Sequence, residues 1–95
     1  MKVKNMISSK GNKVPNQFII ENDTFVYFQS YKSMICKINK KTKKVYLDKV
    51  YWDYSRTTLK YLNLFLFDQL HEYITKRNIE GRIKIKEYTL TDLNK

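Results

Sequence analysis

Apolar side chains change their period along this 95-residue chain, alternating over residues 34–49, recurring at every third or fourth position from Leu59 to Tyr73, and alternating again over residues 82–88. A period of two puts successive side chains on opposite faces of a strand, and a period near 3.6 gathers them on one side of a helix. The chain is therefore read as sheet, then helix, then a last strand. Residues 17–21 form a short apolar run ending at Asn22-Asp23, a pair whose side chains bond their own backbone and favour a turn. Residues 24–31 then carry Phe25, Val26, Tyr27 and Phe28, types that suit a pleated surface. A second hairpin is expected from residues 34–39, with Met34, Cys36 and Ile38 alternating against Ser33, Ile35 and Lys37, and residues 44–49, with Val45 and Leu47 against Tyr46 and Asp48. The polar stretch Lys40-Lys41-Thr42-Lys43 joins them. The four strands then form an antiparallel meander.

The helix is read as one long element from near Ser55 to about Arg77. Ser55 is an acceptable N-cap with Asp53 close to the positive helix end, and Leu59, Leu62, Leu66, Leu70 and Tyr73 follow at spacings of 3, 4, 4 and 3. That stripe is expected to face the sheet. Tyr61, Leu64 and Phe65 fall on the other side, so a second apolar patch needs a cover: the N-terminal arm or final strand, or the second subunit of a homodimer. Gly81 turns the chain, and residues 82–88 alternate Ile83 and Ile85 against Arg82, Lys84 and Lys86, giving a last strand with one basic face. The fold class expected is α+β, a small antiparallel sheet of two consecutive hairpins plus a C-terminal strand packed against one long amphipathic helix. Residues 1–16 hold Gly11, Pro15, three asparagines and four lysines with little periodicity, and read as a mobile or loosely docked arm preceding a single domain over 17–95.

Charge narrows the partners. Nineteen Lys and Arg against nine Asp and Glu leave +10, a balance that points to nucleic acid, an acidic protein surface or an anionic membrane. Only three of those cations are arginine and there is no alanine, so AT-rich coding accounts for the lysines equally well unless they are spatially organised. Residues 32–49 are organised, with seven lysines against Asp48 alone, a net +6. Lys40, Lys41, Lys43 and Lys44 at a hairpin tip suit phosphates, and the interleaved Tyr27, Tyr31 and Tyr46 suit stacked bases if exposed. The competing reading is half-buried sheet tyrosines and lysines that keep edge strands soluble.

Two further basic sites follow. Ser55, Arg56 and Thr57 lie on the first helical turn with Lys60 one turn on, where free backbone N–H groups and the macrodipole attract phosphate or carboxylate. Alternatively Ser55 merely caps, Arg56 pairs with Asp53, and Trp52 plugs the core. Arg82, Lys84 and Lys86 form the other site. Tyr61, Leu64 and Phe65 are the candidate protein interface.

No catalytic residue, metal or cofactor is expected. His71 and Cys36 are the sole histidine and cysteine, so no pair at ligand spacing exists. Cys36, in Met34-Ile35-Cys36, reads as a small buried hydrophobe, and His71, beside Leu64 and Phe67 by helical angle, as partly buried. Two glycines cannot build a phosphate-cradling loop. No run approaches the roughly 20 apolar residues that span a bilayer, and a lone cysteine forms no internal disulfide, so a cytoplasmic protein without a membrane partner is expected.

Several motifs in fixed order carry a resemblance. Gly11-Asn12-Lys13-Val14-Pro15-Asn16-Gln17-Phe18, then Tyr27-Phe28-Gln29-Ser30-Tyr31, then Val45-Tyr46-Leu47-Asp48, then Trp52-Asp53-Tyr54-Ser55-Arg56-Thr57-Thr58 with Lys60-Tyr61 resemble a family of short uncharacterised proteins of tailed bacteriophages and bacterial plasmids. The resemblance covers roughly residues 11–66 and implies a phage or mobile-element origin within a bacterial host cell. It brings no activity with it.

Three functions are consistent with these residues. The first is a non-enzymatic accessory protein binding DNA or RNA, or a complex containing it. The second is an anti-defence inhibitor of anti-CRISPR type that docks on a host nucleic-acid-processing protein. The third is a small basic ribonuclease toxin using His71 or Tyr54 with Arg56 and Lys60.

Overall fold

A computed structural model describes residues 1–94, and burial alternates most cleanly along the central strand, residues 25–30, of its sheet. The elements are β1 (Lys2–Ile7), β2 (Lys13–Glu21), β3 (Phe25–Ser30), β4 (Ser33–Asn39), β5 (Val45–Asp48), α1 (Arg56–Leu70), α2 (Lys76–Lys84) and β6 (Tyr88–Thr91). They build one six-stranded sheet in the order β1-β2-β3-β4-β5-β6. The first five strands pair antiparallel, whereas β6 returns through both helices to lie parallel to β5, pairing Val45 with Tyr88 and Leu47 with Leu90. The sheet is therefore mixed.

This overturns the expected architecture of two hairpins plus a C-terminal strand against one long helix, in three places. Residues 2–7, assigned to a loose arm, are edge strand β1, joined to β2 by a turn in which Gly11 takes φ 81 and Ser8 Oγ accepts from Lys10 and Asn12 N–H. The helix stops at Leu70, because His71 adopts a left-handed φ of 59 and its N–H returns to Phe67 O. His71 is exposed there, not half-buried. Residues 76–84 are a second helix, started by a reciprocal cap in which Asn78 N–H donates to Thr75 Oγ1 and Asn78 Oδ1 accepts from Thr75 N–H. Arg82 and Lys84 are thus helical, and Gly81 lies inside α2. The helical pair Ile79 and Ile83, four apart, faces the core, while Ile85 ends 69% exposed.

Helix α1 also sits rotated from its leucine stripe. Its buried residues are Thr58, Leu62, Phe65 and Leu66, an i, i+4, i+7, i+8 face, with Leu59 and Leu70 half-buried at the rim and Tyr73 88% exposed beyond the helix end. Phe65 is fully buried and stacks on Phe28 with centroids 5.8 Å apart, which removes it from any protein interface. Burying a side chain of this size stabilises by about 1.5–3 kcal/mol.

Both helices cover the same face. Val26, Phe28, Ile38, Val45 and Leu47 from the sheet join Leu62, Phe65 and Leu66 of α1, Ile79 of α2, and Trp52 and Tyr88 in one core. Cys36 is wholly enclosed in it, and burial pushes its thiol pKa far up, so it packs as a hydrophobe. The opposite face of the sheet has no covering element among the described residues.

Candidate nucleic-acid interface

Alternation decides what that bare face presents. Residues opposite each other in a ladder share a face, so Ile20, Tyr27, Lys37, Tyr46 and Thr89, successive partners from β2 to β6, form one row across it. Phe18 and Gln29 lie in one neighbouring row, and Phe25 and Asn39 in the other. Phe18, Phe25, Tyr27 and Tyr46 are half-buried, with none packed on the helix-side core. Four aromatic rings thus sit on a sheet surface without a second layer.

Lys37 is at their centre. Its ammonium lies 4.5 Å from the Phe25 ring centroid and 5.1 Å from that of Tyr46, and Phe25 and Tyr27 are tilted together at 5.9 Å. No carboxylate among the described residues pairs with it. An exposed cation–π contact contributes about 0.5–1 kcal/mol.

The β4–β5 tip adjoins this face. Asn39 Oδ1 accepts from the Lys41 and Thr42 N–H groups, and Lys43 takes φ 63, so the turn is ordered by its own backbone contacts. Lys41, Lys43 and Lys44 are exposed and none is paired with a carboxylate, whereas Lys40 is tied to Glu21 and lowers that carboxyl's pKa. Glu21 thus stays ionised, with its charge offset by Lys40. Asp23, in the neighbouring β2–β3 turn, is exposed.

The other basic candidates do not join this surface. Arg82 is committed to structure: its guanidinium bonds Glu72 at 2.7 Å, approaches Glu87 at 3.6 Å and donates to Tyr88 Oη at 3.0 Å. Its pKa is raised, first by the Glu72 hydrogen bond. Lys84 closes α2, and Lys86 follows in a left-handed turn, so the expected basic strand face of Arg82, Lys84 and Lys86 does not form. Arg82→Met is expected to cost about 1 kcal/mol of stability, since its partners are half-exposed, and to leave oligonucleotide affinity unchanged. Thermal melts beside binding titrations check this, and lost affinity with unchanged stability would contradict it.

At the mouth of α1, Ser55 accepts from Thr58 N–H and donates to Thr58 Oγ1, which also meets Ser30 Oγ at 3.2 Å. These hydroxyls satisfy one another around a cavity of about 260 Å³ that Tyr31, Tyr51 and Tyr54 also line. Tyr31, with φ 55, therefore belongs to this cavity and not to the Tyr27–Tyr46 row. Arg56 and Thr57 are exposed on the first turn, Asp53 pairs with Lys76 in place of Arg56, and Trp52 is buried in the core. His71 stands fifteen residues beyond Arg56, about 22 Å along the helix, so those two side chains are not brought together, whereas Tyr54 is exposed two residues before Arg56. Among the described residues no three His, Cys, Asp or Glu side chains cluster as metal ligands, and no helix is long and apolar enough to cross a membrane.

Tyr61 and Leu64 line a separate groove of about 570 Å³ with Phe67, Tyr73 and Ile74, between α1 and Ser8-Ser9 of the β1–β2 turn, and Lys60 sits at its rim. Lys60 Nζ lies 5.3 Å from the Tyr61 ring centroid.

Sequence reasoning singled out Tyr27, Tyr31 and Tyr46 as candidate rings; the structure places Tyr27 and Tyr46 in one row, separates Tyr31 from it, and puts Phe18, Phe25 and Lys37, which were not singled out, on the same face. Their alternation with buried Ile19, Val26 and Ile38 was the available signal. No curated protein and no solved structure matches the chain. A family pattern does match residues 1–81, a span that holds the whole aromatic face up to Tyr46, the β4–β5 tip and all of α1. The chain belongs to that family, a family of unknown function designated DUF8033.

Proposed function

We propose that this protein is a non-enzymatic phage or mobile-element accessory protein that binds nucleic acid through the bare face of its sheet and the adjoining β4–β5 tip. The observation that carries the reading is Lys37, unpaired with any carboxylate, among four aromatic rings on a surface that no other element covers. Lys41 and Lys44 extend that surface with positive charge, while Lys43 lines a cavity on the helix side with Glu72 and Arg82. Rings offer stacking to any base and lysines neutralise phosphates, which favours a sequence-tolerant binder. Its origin in a phage or mobile element is supported by the motif resemblance, and a place in the bacterial cytoplasm by that resemblance together with the lone, buried Cys36.

Titrating a labelled oligonucleotide at rising salt tests the reading. The logarithm of affinity is expected to fall linearly with the logarithm of salt, by about 0.7 per phosphate contact on a single strand and about 0.9 on a duplex. Absent or salt-insensitive binding contradicts it.

One observation favours the second reading, an anti-defence inhibitor of anti-CRISPR type docking on a host nucleic-acid-processing protein. The groove at Tyr61 and Leu64 is edged by Tyr73, 88% exposed and 4.5 Å from Phe67 by ring centroids, which suits a buried anchor in a protein contact. Pull-down from nuclease-treated host lysate separates the two, since only this reading retains a partner after digestion.

A further inference from the structure

Resting on the nucleic-acid reading, the geometry of the middle row specifies the form of nucleic acid. Tyr27, Lys37 and Tyr46 are direct register partners on β3, β4 and β5. Neighbouring strands lie about 4.8 Å apart, so the two tyrosine side chains spring from points about 10 Å apart with the root of the Lys37 side chain between them. The ammonium itself rests over Phe25 and Tyr46, and two rings with a cation rooted between them match the order base, phosphate, base along an extended strand. A duplex cannot use the rings, because its base faces are stacked on one another inside the helix. A single strand can.

We propose that the row Tyr27–Lys37–Tyr46 seats one dinucleotide step of a single strand, with a base on each tyrosine ring and the bridging phosphate on Lys37. Phe25 supplies the next stacking surface, two residues from Tyr27 on the same strand and toward the β4–β5 tip, whose first backbone N–H, that of Lys40, donates to Thr24 O. The strand thus continues past Phe25 to Lys41 and Lys44, which take its following phosphates. Lys37 now lies over the Phe25 and Tyr46 rings and has no carboxylate partner to release before it swings to a phosphate.

The test is fluorescence anisotropy on the full chain with three probes of equal length, about twelve nucleotides to span one sheet face: a thymidine single strand, a mixed-sequence duplex and an abasic deoxyribose-phosphate strand. A uridine strand run alongside separates DNA from RNA. The thymidine strand is expected to bind at least about thirty-fold more tightly than either the duplex or the abasic strand, from two stacked bases at about 1–3 kcal/mol each. Tyr27→Leu with Tyr46→Leu should lower its affinity about thirty-fold or more, toward the abasic level, while leaving duplex affinity and the salt slope unchanged. Tyr27→Phe with Tyr46→Phe keeps the rings and should bind as the parent does. Circular dichroism and melting establish that each variant is folded, and where the leucine pair is not, the abasic comparison on the parent chain still decides. Equal affinity for all probes overturns the stacking row and leaves the nucleic-acid reading standing. No binding to any probe removes that reading as well.

Discussion

Asp48→Ala is expected to lower the unfolding free energy by about 3 kcal/mol, the sum of three part-buried backbone donors each losing a charged acceptor. Asp48 is 1% exposed at the end of β5. Its Oδ2 accepts from Val50 N–H at 3.1 Å and Tyr51 N–H at 2.9 Å, and its Oδ1 accepts from Leu93 N–H at 2.8 Å. One carboxylate thus fixes both the exit from β5 toward α1 and the segment after β6. Asn94 adds to this by exchanging two hydrogen bonds with the Met34 backbone on β4. For a domain of this size the loss corresponds to a melting temperature lower by roughly 12–24 °C.

The same carboxylate gives a pH signature. Burial raises its pKa, but the hydrogen bonds from Leu93, Tyr51, Asn94 and Val50 outweigh that and hold it below the ordinary aspartate value. A depressed folded-state pKa contributes stability in full above the unfolded value near 3.9, and loses it as pH falls through the folded value. Wild-type stability should therefore drop more steeply below about pH 4 than that of Asp48→Asn, which keeps the shape and carries no titrating charge. Denaturant melts at a series of pH values measure the difference, and parallel curves would contradict it.

Replacing Lys37, Lys41 and Lys44 together by glutamine is expected to weaken oligonucleotide binding about a hundred-fold at low salt. Each phosphate contact on a single strand contributes about 0.7 to the salt slope, so removing three should flatten it by about 2. The two tip side chains are exposed and unpaired, and only Lys37 is half-buried, so stability should change little. Arg56 and Lys60, at the far mouth of the molecule's first helix, provide the control: glutamine there should leave the slope nearly intact. A variant that keeps the parent slope would show that the charge on this surface meets no phosphate.

Some of this was legible from residues alone. Alternation located the segments that become β3, β4 and β5, and Ser55 announced the cap of α1, because these signals are local. β1 was hidden because Lys2, Lys4 and Asn5 are polar on both faces of an edge strand, and Met6 alone among its residues is buried. The break after Leu70 was hidden because a histidine, not a glycine, takes the left-handed cap. The Ile83 and Ile85 spacing imitates a strand, while the pair that decides the structure is Ile79 and Ile83 on a helix. The parallel placement of β6 depends on contacts some forty residues apart, through Asp48 and Leu93, which no window of sequence displays. The aromatic face was half legible for a related reason. Tyr27 and Tyr46 could be singled out as strand tyrosines, but their common row follows from the strand register, and that the face stays bare follows only from both helices lying on the other.

The central claim is that this bare face meets nucleic acid, and a nitrogen-15 amide NMR titration of the full chain with a thymidine single strand addresses it residue by residue. Shifts should concentrate on Phe18, Phe25, Tyr27, Lys37 and Tyr46 and run on to the β4–β5 tip, with α1 and α2 undisturbed. Shifts confined to the helices or the Tyr61 groove, or no shifts at all, would contradict it.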